Sequence, residues 1–474
     1  MPEKYDVIFV GTGFATSFFL APYLEKAGPT ARILVLERGR LDTHAWQVAN
    51  QATSSLNAKD TFINNHPEKQ WAYDPSFGGA SNSWWAVTTR MLPNDFRMKS
   101  TYGVGVDWPI SYAELESFYA QAEEIMSVSG PDDGYPFPRS TPYPQPPHRL
   151  SDPDKIFKAA YPDLFFHQPN ARARVATYRR LRCCAIGVCR LCPINAKFTI
   201  LNEMHHLYQD PRVTLMLEAT VQTVETKGGT ATGVSYLKNG AVSQAEAGLI
   251  VLGANAIFNP HILQRSKIFH PLLGKFLNEQ VSLDVFIDLD GVDNFQGSTS
   301  MTGHGYMLYD GDHRKNHAGC LIEHWNVPMI RTEKGKWQQR LRLKFIHENL
   351  PSEQNYVEFN QDNPDLPETV WTAHSDYALK GMQMLPSLLS KLLEPLPVEN
   401  VHISKKPHST ESHILGTTVM GNDPQTSVID RYLVHHQIRN LLVLGGGAFP
   451  TVAPANPTLT LSALSLWAAH HLLG

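Results

Sequence analysis

The chain has 474 residues, room for about two to four domains. Charged residues make up only 18% and hydrophobic ones 42%, which excludes a disordered chain. With 41 Lys+Arg against 45 Asp+Glu, the net charge of −4 leaves no basic excess for phosphates, so nucleic acid is excluded as the main partner.

Residues 6–10 (DVIFV) form an apolar run typical of a buried parallel strand. The turn Gly11-Thr12-Gly13-Phe14-Ala15-Thr16 follows, then a predicted helix over 17–26 and a second strand over 32–36 that ends at Glu37. Gly11 and Gly13 fit the first two glycines of G-x-G-x-x-G, where bare backbone and a helix N-terminus approach a pyrophosphate. Thr16 replaces the third glycine, and Glu37 stands where an acid accepts from ribose hydroxyls. An ordinary α/β turn is the bland alternative; the order strand, helix, strand, acid favours dinucleotide binding. A second small-residue stretch, Phe77-Gly78-Gly79-Ala80-Ser81-Asn82-Ser83-Trp84-Trp85, lets backbone approach a flat ligand, with Ser81 and Asn82 as hydrogen-bonding groups. A surface loop is its alternative reading.

Further along, a helix is predicted over 113–126 and Pro-rich loops over 131–147 and 351–367. Strands with Gly-containing turns are predicted between 213 and 251, and more strands over 284–290 and 340–346. A strong helix is predicted over 458–473. No apolar run reaches the ~20 residues of a membrane span. Met1-Pro2-Glu3-Lys4 is not a charged-then-apolar leader, which implies a cytoplasmic location.

Four of the five cysteines fall in one run, Cys183-Cys184-x4-Cys189-x2-Cys192-Pro193. Thiolates this close suit an iron–sulfur cluster or zinc. Disulfides or a purely structural loop are the alternatives. Isolated Cys320 reads as a small buried hydrophobe.

Several blocks resemble the glucose-methanol-choline (GMC) oxidoreductases. They are Gly11-x-Gly13, Glu37-Arg38-Gly39, Gly78-Gly79-x-Ser81, Asp107-Trp108-Pro109, Val251-Leu252-Gly253-Ala254-Asn255-Ala256, Glu348-Asn349-Leu350-Pro351-Ser352 and the C-terminal block from Ser412-His413 to Ala455-Asn456-Pro457-Thr458. The likeness runs from about Tyr5 to the C-terminus and is to the branch of gluconate and sugar dehydrogenases and pyranose oxidases. It implies an α/β Rossmann-like FAD-binding domain (1–130, 185–268 and 400–474). It also implies a discontinuous α+β substrate domain on a largely antiparallel sheet (131–184 and 269–399). Expected FAD contacts are Gly11, Gly13, Phe14, Ala15, Glu37, Arg38, Gly78, Gly79, Ser81, Asn82, Val221, Ala254, Gly446, Pro457 and Thr458. Ser83 stands where some pyranose oxidases attach FAD through a histidine, so a non-covalent FAD is expected. Gly445 replaces an Asp of the common pattern.

The resemblance places a catalytic pair at His413 and Asn456. Histidine is the natural base near neutral pH, and an amide can hydrogen-bond a developing alkoxide. Locally, Asn456-Pro457 also reads as an N-cap and first helical residue. The implied activity is FAD-dependent oxidation of a sugar, polyol or other alcohol. Electrons then pass to an external cytochrome or quinone, by way of an iron–sulfur cluster on Cys183, Cys184, Cys189 and Cys192. A small partner subunit, with export in its company, belongs to the same picture. An oxygen-using oxidase and a non-catalytic metal-dependent interaction protein are the competing readings. Substrate specificity is expected over roughly 290–325.

Overall fold

A computed structural model describes residues 2–132 and 134–474. Its first layer is a seven-stranded sheet opened by the buried strand Glu3–Val10. That strand pairs in parallel with Ile33–Leu36 on one side and Ala241–Leu252 on the other. Val213–Met216 extends one edge and Leu441–Val443 adds in parallel to Ala241–Leu252. The antiparallel strands Thr230–Lys238 and Ala219–Lys227 complete it, joined through the predicted glycine turns.

Helix Phe14–Lys26 begins earlier than the sequence predicts, because Gly13 already lies in extended geometry and hands the chain straight into the helix. It packs against the C-terminal helix Thr458–Leu473. That helix is apolar on all sides and buried over most of its length, as a core helix must be. Helix Tyr112–Met126 packs on it too, started by a reciprocal cap between Ser111 and Glu114.

The second layer is a six-stranded antiparallel sheet in the order Val398–Ile403, Val281–Leu289, Arg340–His347, Cys320–Trp325, Met301–Leu308, Phe165–His167. Its core includes Phe157, Val285, Leu343 and Leu389. The loop expected over 351–367 differs: Tyr356–Phe359 and Pro367–Val370 form an antiparallel pair that meets Ile63–Asn64. Alternating buried Val357 and exposed Glu358 carry the strand signal there. No helix is long and apolar enough to cross a membrane among the described residues.

Candidate active site

Between the two sheets lies a cavity of 1420 Å3, larger than the roughly 300–1,000 Å3 of ordinary small-molecule pockets. Gly11, Gly13, Phe14, Ala15, Glu37, Arg38, Gly79, Val221, Ala254, Gly446, Pro457, Thr458, His413 and Asn456 all line it. Three helix N-termini open onto it, at Phe14, Asn255 and Thr458.

The dinucleotide end is built from bare backbone. Gly11 has φ +90°, and a Cβ there would stand 2.7 Å from the Gly253 carbonyl oxygen. A Cβ on Gly13 would meet nothing within 4 Å. Among the described residues no side chain caps the helix at Phe14, so its first N–H groups stay available to an anion. Thr12, the side chain nearest to that role, is instead spent on Glu37. Glu37 accepts from Thr12 N at 3.0 Å, Thr12 Oγ1 at 2.8 Å and Gly39 N at 2.9 Å, which fixes the carboxylate and leaves acceptor capacity. Burial pushes its pKa up, opposed by those hydrogen bonds. Arg38 lies over the Phe258 ring at 4.5 Å. An uncapped helix end, a glycine cradle and a fixed acid fit the FAD that the fold implies.

Thr16 in place of the third glycine has a physical account. A Cβ on Gly253 would stand 2.1 Å from Thr16 Oγ1. The close approach of helix to sheet is kept, with the glycine on the opposite side of the contact. In the second glycine stretch, Gly78 N donates to Thr12 Oγ1 at 2.9 Å, joining the two loops.

Gly78, Ser81 and Asn82 stand behind the cavity wall. Ser81 Oγ donates to Gly78 O at 2.7 Å and accepts from Ile200 N at 3.0 Å. Asn82 Nδ2 donates to Phe77 O and Ser76 Oγ. Both side chains build the loop, and neither lines the cavity. Ser83 does line the cavity, with its hydroxyl donated to Asp74.

His413 is held in one tautomer. Gln280 Nε2 donates to the carbonyls of Ala453 and Ala455, each at 2.9 Å, so its Oε1 is an acceptor. His413 Nδ1 lies 3.0 Å from that Oε1 and must carry the hydrogen. Nε2 is left with the lone pair. Burial pushes the ring's pKa down to about 4, so it is neutral at neutral pH. A neutral imidazole with a free Nε2 is the state a general base requires.

Asn456 is 8% exposed, and its Nδ2 lies 3.4 Å from Glu323 Oε1. Its second Nδ2 hydrogen is not needed for that bond. The expected N-cap is not formed: the helix starts at Thr458, Pro457 holds the cap position, and the Asn456 side chain turns to Glu323 instead. Burial alone would raise the Glu323 pKa, but the His304 hydrogen bond and the Lys344 charge bring it below the ordinary value. Glu323 is therefore an anion beside the pair. Trp85 and Trp325, with ring centroids 5.0 Å apart, form the adjoining wall, and Arg342 lies 4.0 Å over Trp325. Trp325 and Glu323 fall inside the stretch marked for specificity. Gln280 carries no motif and is invisible without coordinates.

The cysteine run does not assemble as expected. Cys184 is exposed, Cys189 is buried, and Cys183 and Cys192 are intermediate. Cys189 Sγ meets Ser300 Oγ at 2.9 Å and Cys183 Sγ meets Thr299 Oγ1 at 3.6 Å. Burial pushes the Cys189 thiol up, away from the thiolate a metal requires. Among the described residues no three His, Cys, Asp or Glu side chains are grouped to hold a metal. The residues present do not fit an iron–sulfur cluster. Arg190 and Leu191 of this loop do line the cavity. Cys320 is buried in its strand, as expected.

Residues 351–465 match the family model described as GMC oxidoreductase. The chain is 28% identical to the fructose dehydrogenase large subunit of Gluconobacter japonicus, over 84% of this chain and 80% of that one. It is 23% identical to the gluconate 2-dehydrogenase flavoprotein of Pantoea cypripedii, over 98% and 93% of the two chains. Pyridoxine 4-oxidase from Mesorbium loti shares the fold with a TM-score of 0.70 at 16% identity, covering 98% of this chain and 99% of that one. Residues 351–465 thus carry the C-terminal domain of the GMC oxidoreductases, and the chain around them is similar over most of its length to dehydrogenases of sugars and sugar acids and shares the fold of an oxidase.

Proposed function

We propose that this protein oxidises a hydroxyl-bearing carbon of a sugar or polyol to a carbonyl and passes the electrons to an external acceptor other than oxygen. The observation that carries this reading is the Gln280 bond that leaves His413 Nε2 unprotonated in the cavity. His413 Nε2 takes the hydroxyl proton. The free Nδ2 hydrogen of Asn456 donates to the oxygen as its charge develops. FAD, when bound, supplies the acceptor for the hydride that leaves the same carbon. The uncapped helix end at Thr458 favours negative charge nearby.

The sugar or polyol class is supported by the wall next to the pair. Trp85 and Trp325 offer apolar ring surface, while Glu323 accepts from additional hydroxyls. The dehydrogenase reading is supported by the names of the two relatives, one of which is called a large subunit. A protein acceptor or partner subunit would seat on the cysteine loop. Residues 164–202 contain no Asp or Glu, and Tyr178, Leu181, Ile186 and Val188 are exposed there.

The test is anaerobic mixing of the purified flavoprotein with fructose, gluconate and simple alcohols, watching the flavin absorbance bleach. Fast bleaching by a polyol, followed by fast dye reduction and slow peroxide formation, is expected. Peroxide formed as fast as substrate is oxidised would replace the dehydrogenase with an oxidase. No bleaching with any hydroxyl compound would overturn the reading.

A further inference from the structure

The segment that carries His413 contains a backbone irregularity. Ser412 adopts φ +61°, a left-handed conformation that a non-glycine residue holds only when its surroundings impose it. What imposes it is visible on both sides. Glu279 Oε2 accepts from Glu411 N at 3.1 Å, just before the turn, and from His413 N at 3.4 Å, just after it. The same oxygen accepts from Thr410 Oγ1 at 3.2 Å, and that hydroxyl accepts from Ser412 N at 2.9 Å.

Glu279 is buried, and its other oxygen is paired with Lys69, which is buried as well. Lys69 Nζ also donates to Ser409 O at 3.3 Å and lies 4.3 Å from the Trp71 ring and 5.1 Å from the Trp371 ring. Gln70 N donates to the same Ser409 carbonyl at 3.0 Å. Burying two opposite charges is costly, and the cost is recovered only when the geometry is good and the remaining lone pairs are satisfied. Here Glu279 Oε2 is satisfied by the segment that bears the base: the Thr410 hydroxyl and the N–H groups of Glu411 and His413. The next residue in the chain, Gln280, holds the ring of that same base.

We propose that Lys69 and Glu279 are positioning residues for His413: a buried ion pair that clamps the left-handed turn at Ser412 and so fixes where the base presents Nε2. This rests on His413 being the base. The clamp joins three distant segments, around 69, 279 and 412, and so ties the cavity-lining loop at Lys69–Trp71 to the segment that bears the base.

The experiment compares Glu279→Gln, Lys69→Met and the double variant, each with flavin content matched to the parent. Each single variant leaves a buried charge alone, whereas the double variant is neutral and keeps an amide oxygen for the two N–H groups. Each single change is expected to lower kcat about 10- to 100-fold with KM within about twofold, and the double variant to recover most of the loss. In isotope-labelled histidine spectra, with His413 assigned by its loss in His413→Ala, the ring is expected to titrate near 4 in the parent. It should shift up in Lys69→Met, which leaves the Glu279 anion unpaired beside the base, and down in Glu279→Gln, which leaves the Lys69 cation. Single variants that leave both kcat and the His413 titration unchanged, or a double variant as impaired as the product of the singles, would overturn the clamp. The spectra need no substrate, so they judge the clamp even if no hydroxyl compound reduces the flavin.

Discussion

Around His413 three polar side chains have an assigned direction: Gln280 toward the ring, Glu279 toward the backbone, Asn456 Nδ2 toward Glu323. Around the cysteines of 183–192 the opposite holds. One thiol is exposed, two meet hydroxyls of Thr299 and Ser300, and no metal-holding group forms among the described residues. The two regions invert their prominence in the sequence. Four cysteines in ten residues look like a site, while Gln280 looks like nothing. Density of reactive residue types thus says less than how many of their neighbours are committed to holding them.

The comparison breaks most visibly if the committed region proves dispensable. His413→Ala is expected to slow flavin reduction by substrate about 10²- to 10⁴-fold while FAD stays bound, read by anaerobic stopped-flow absorbance. Gln280→Leu should cost about 10- to 100-fold in kcat, because the tautomer is released and two carbonyls lose their donor. Gln280→Glu places a carboxylate on Nδ1 and should move the acid limb of the kcat/KM profile up from its parent position near pH 4.

Stability offers a second axis. Burial holds His148 and His374 down to about 3 and His261, His347, His413 and His435 down to about 4, against an ordinary 6.5. Between those values the unfolded chain binds protons that the native one does not. Stability is therefore complete above about pH 6.5 and is lost as pH falls toward 4, which urea titrations at stepped pH would read. Gly253→Ala should cost about 1–3 kcal/mol through its clash with Thr16, with partial recovery in Gly253→Ala/Thr16→Gly. At the small end, Cys184→Ser should leave flavin reduction within twofold of the parent, since the exposed thiol holds nothing in place.

Much of this was legible in the residue order. The strand-turn-helix-strand start, the glycine turns and the C-terminal helix depend on local spacing, which a sequence states directly, whereas His413 and Asn456 are singled out only by the family resemblance. The rest depends on tertiary approach. Gln280 is oriented toward His413 because its amide donates to the Ala453 and Ala455 carbonyls, a contact between distant segments. Asn456 abandons the cap that local rules favour because a buried anion, Glu323, lies within reach on another sheet. Ser81 and Asn82 turn inward because the loop they build has its own unpaired groups to satisfy.

Three helix N-termini share one cavity, at Phe14, Asn255 and Thr458. Their peptide dipoles belong to the main chain, so no side-chain substitution can remove the positive potential they create there. Each end favours negative charge in its own part of the cavity. A change of side chain on the Trp85–Trp325 wall would leave those three main-chain dipoles in place.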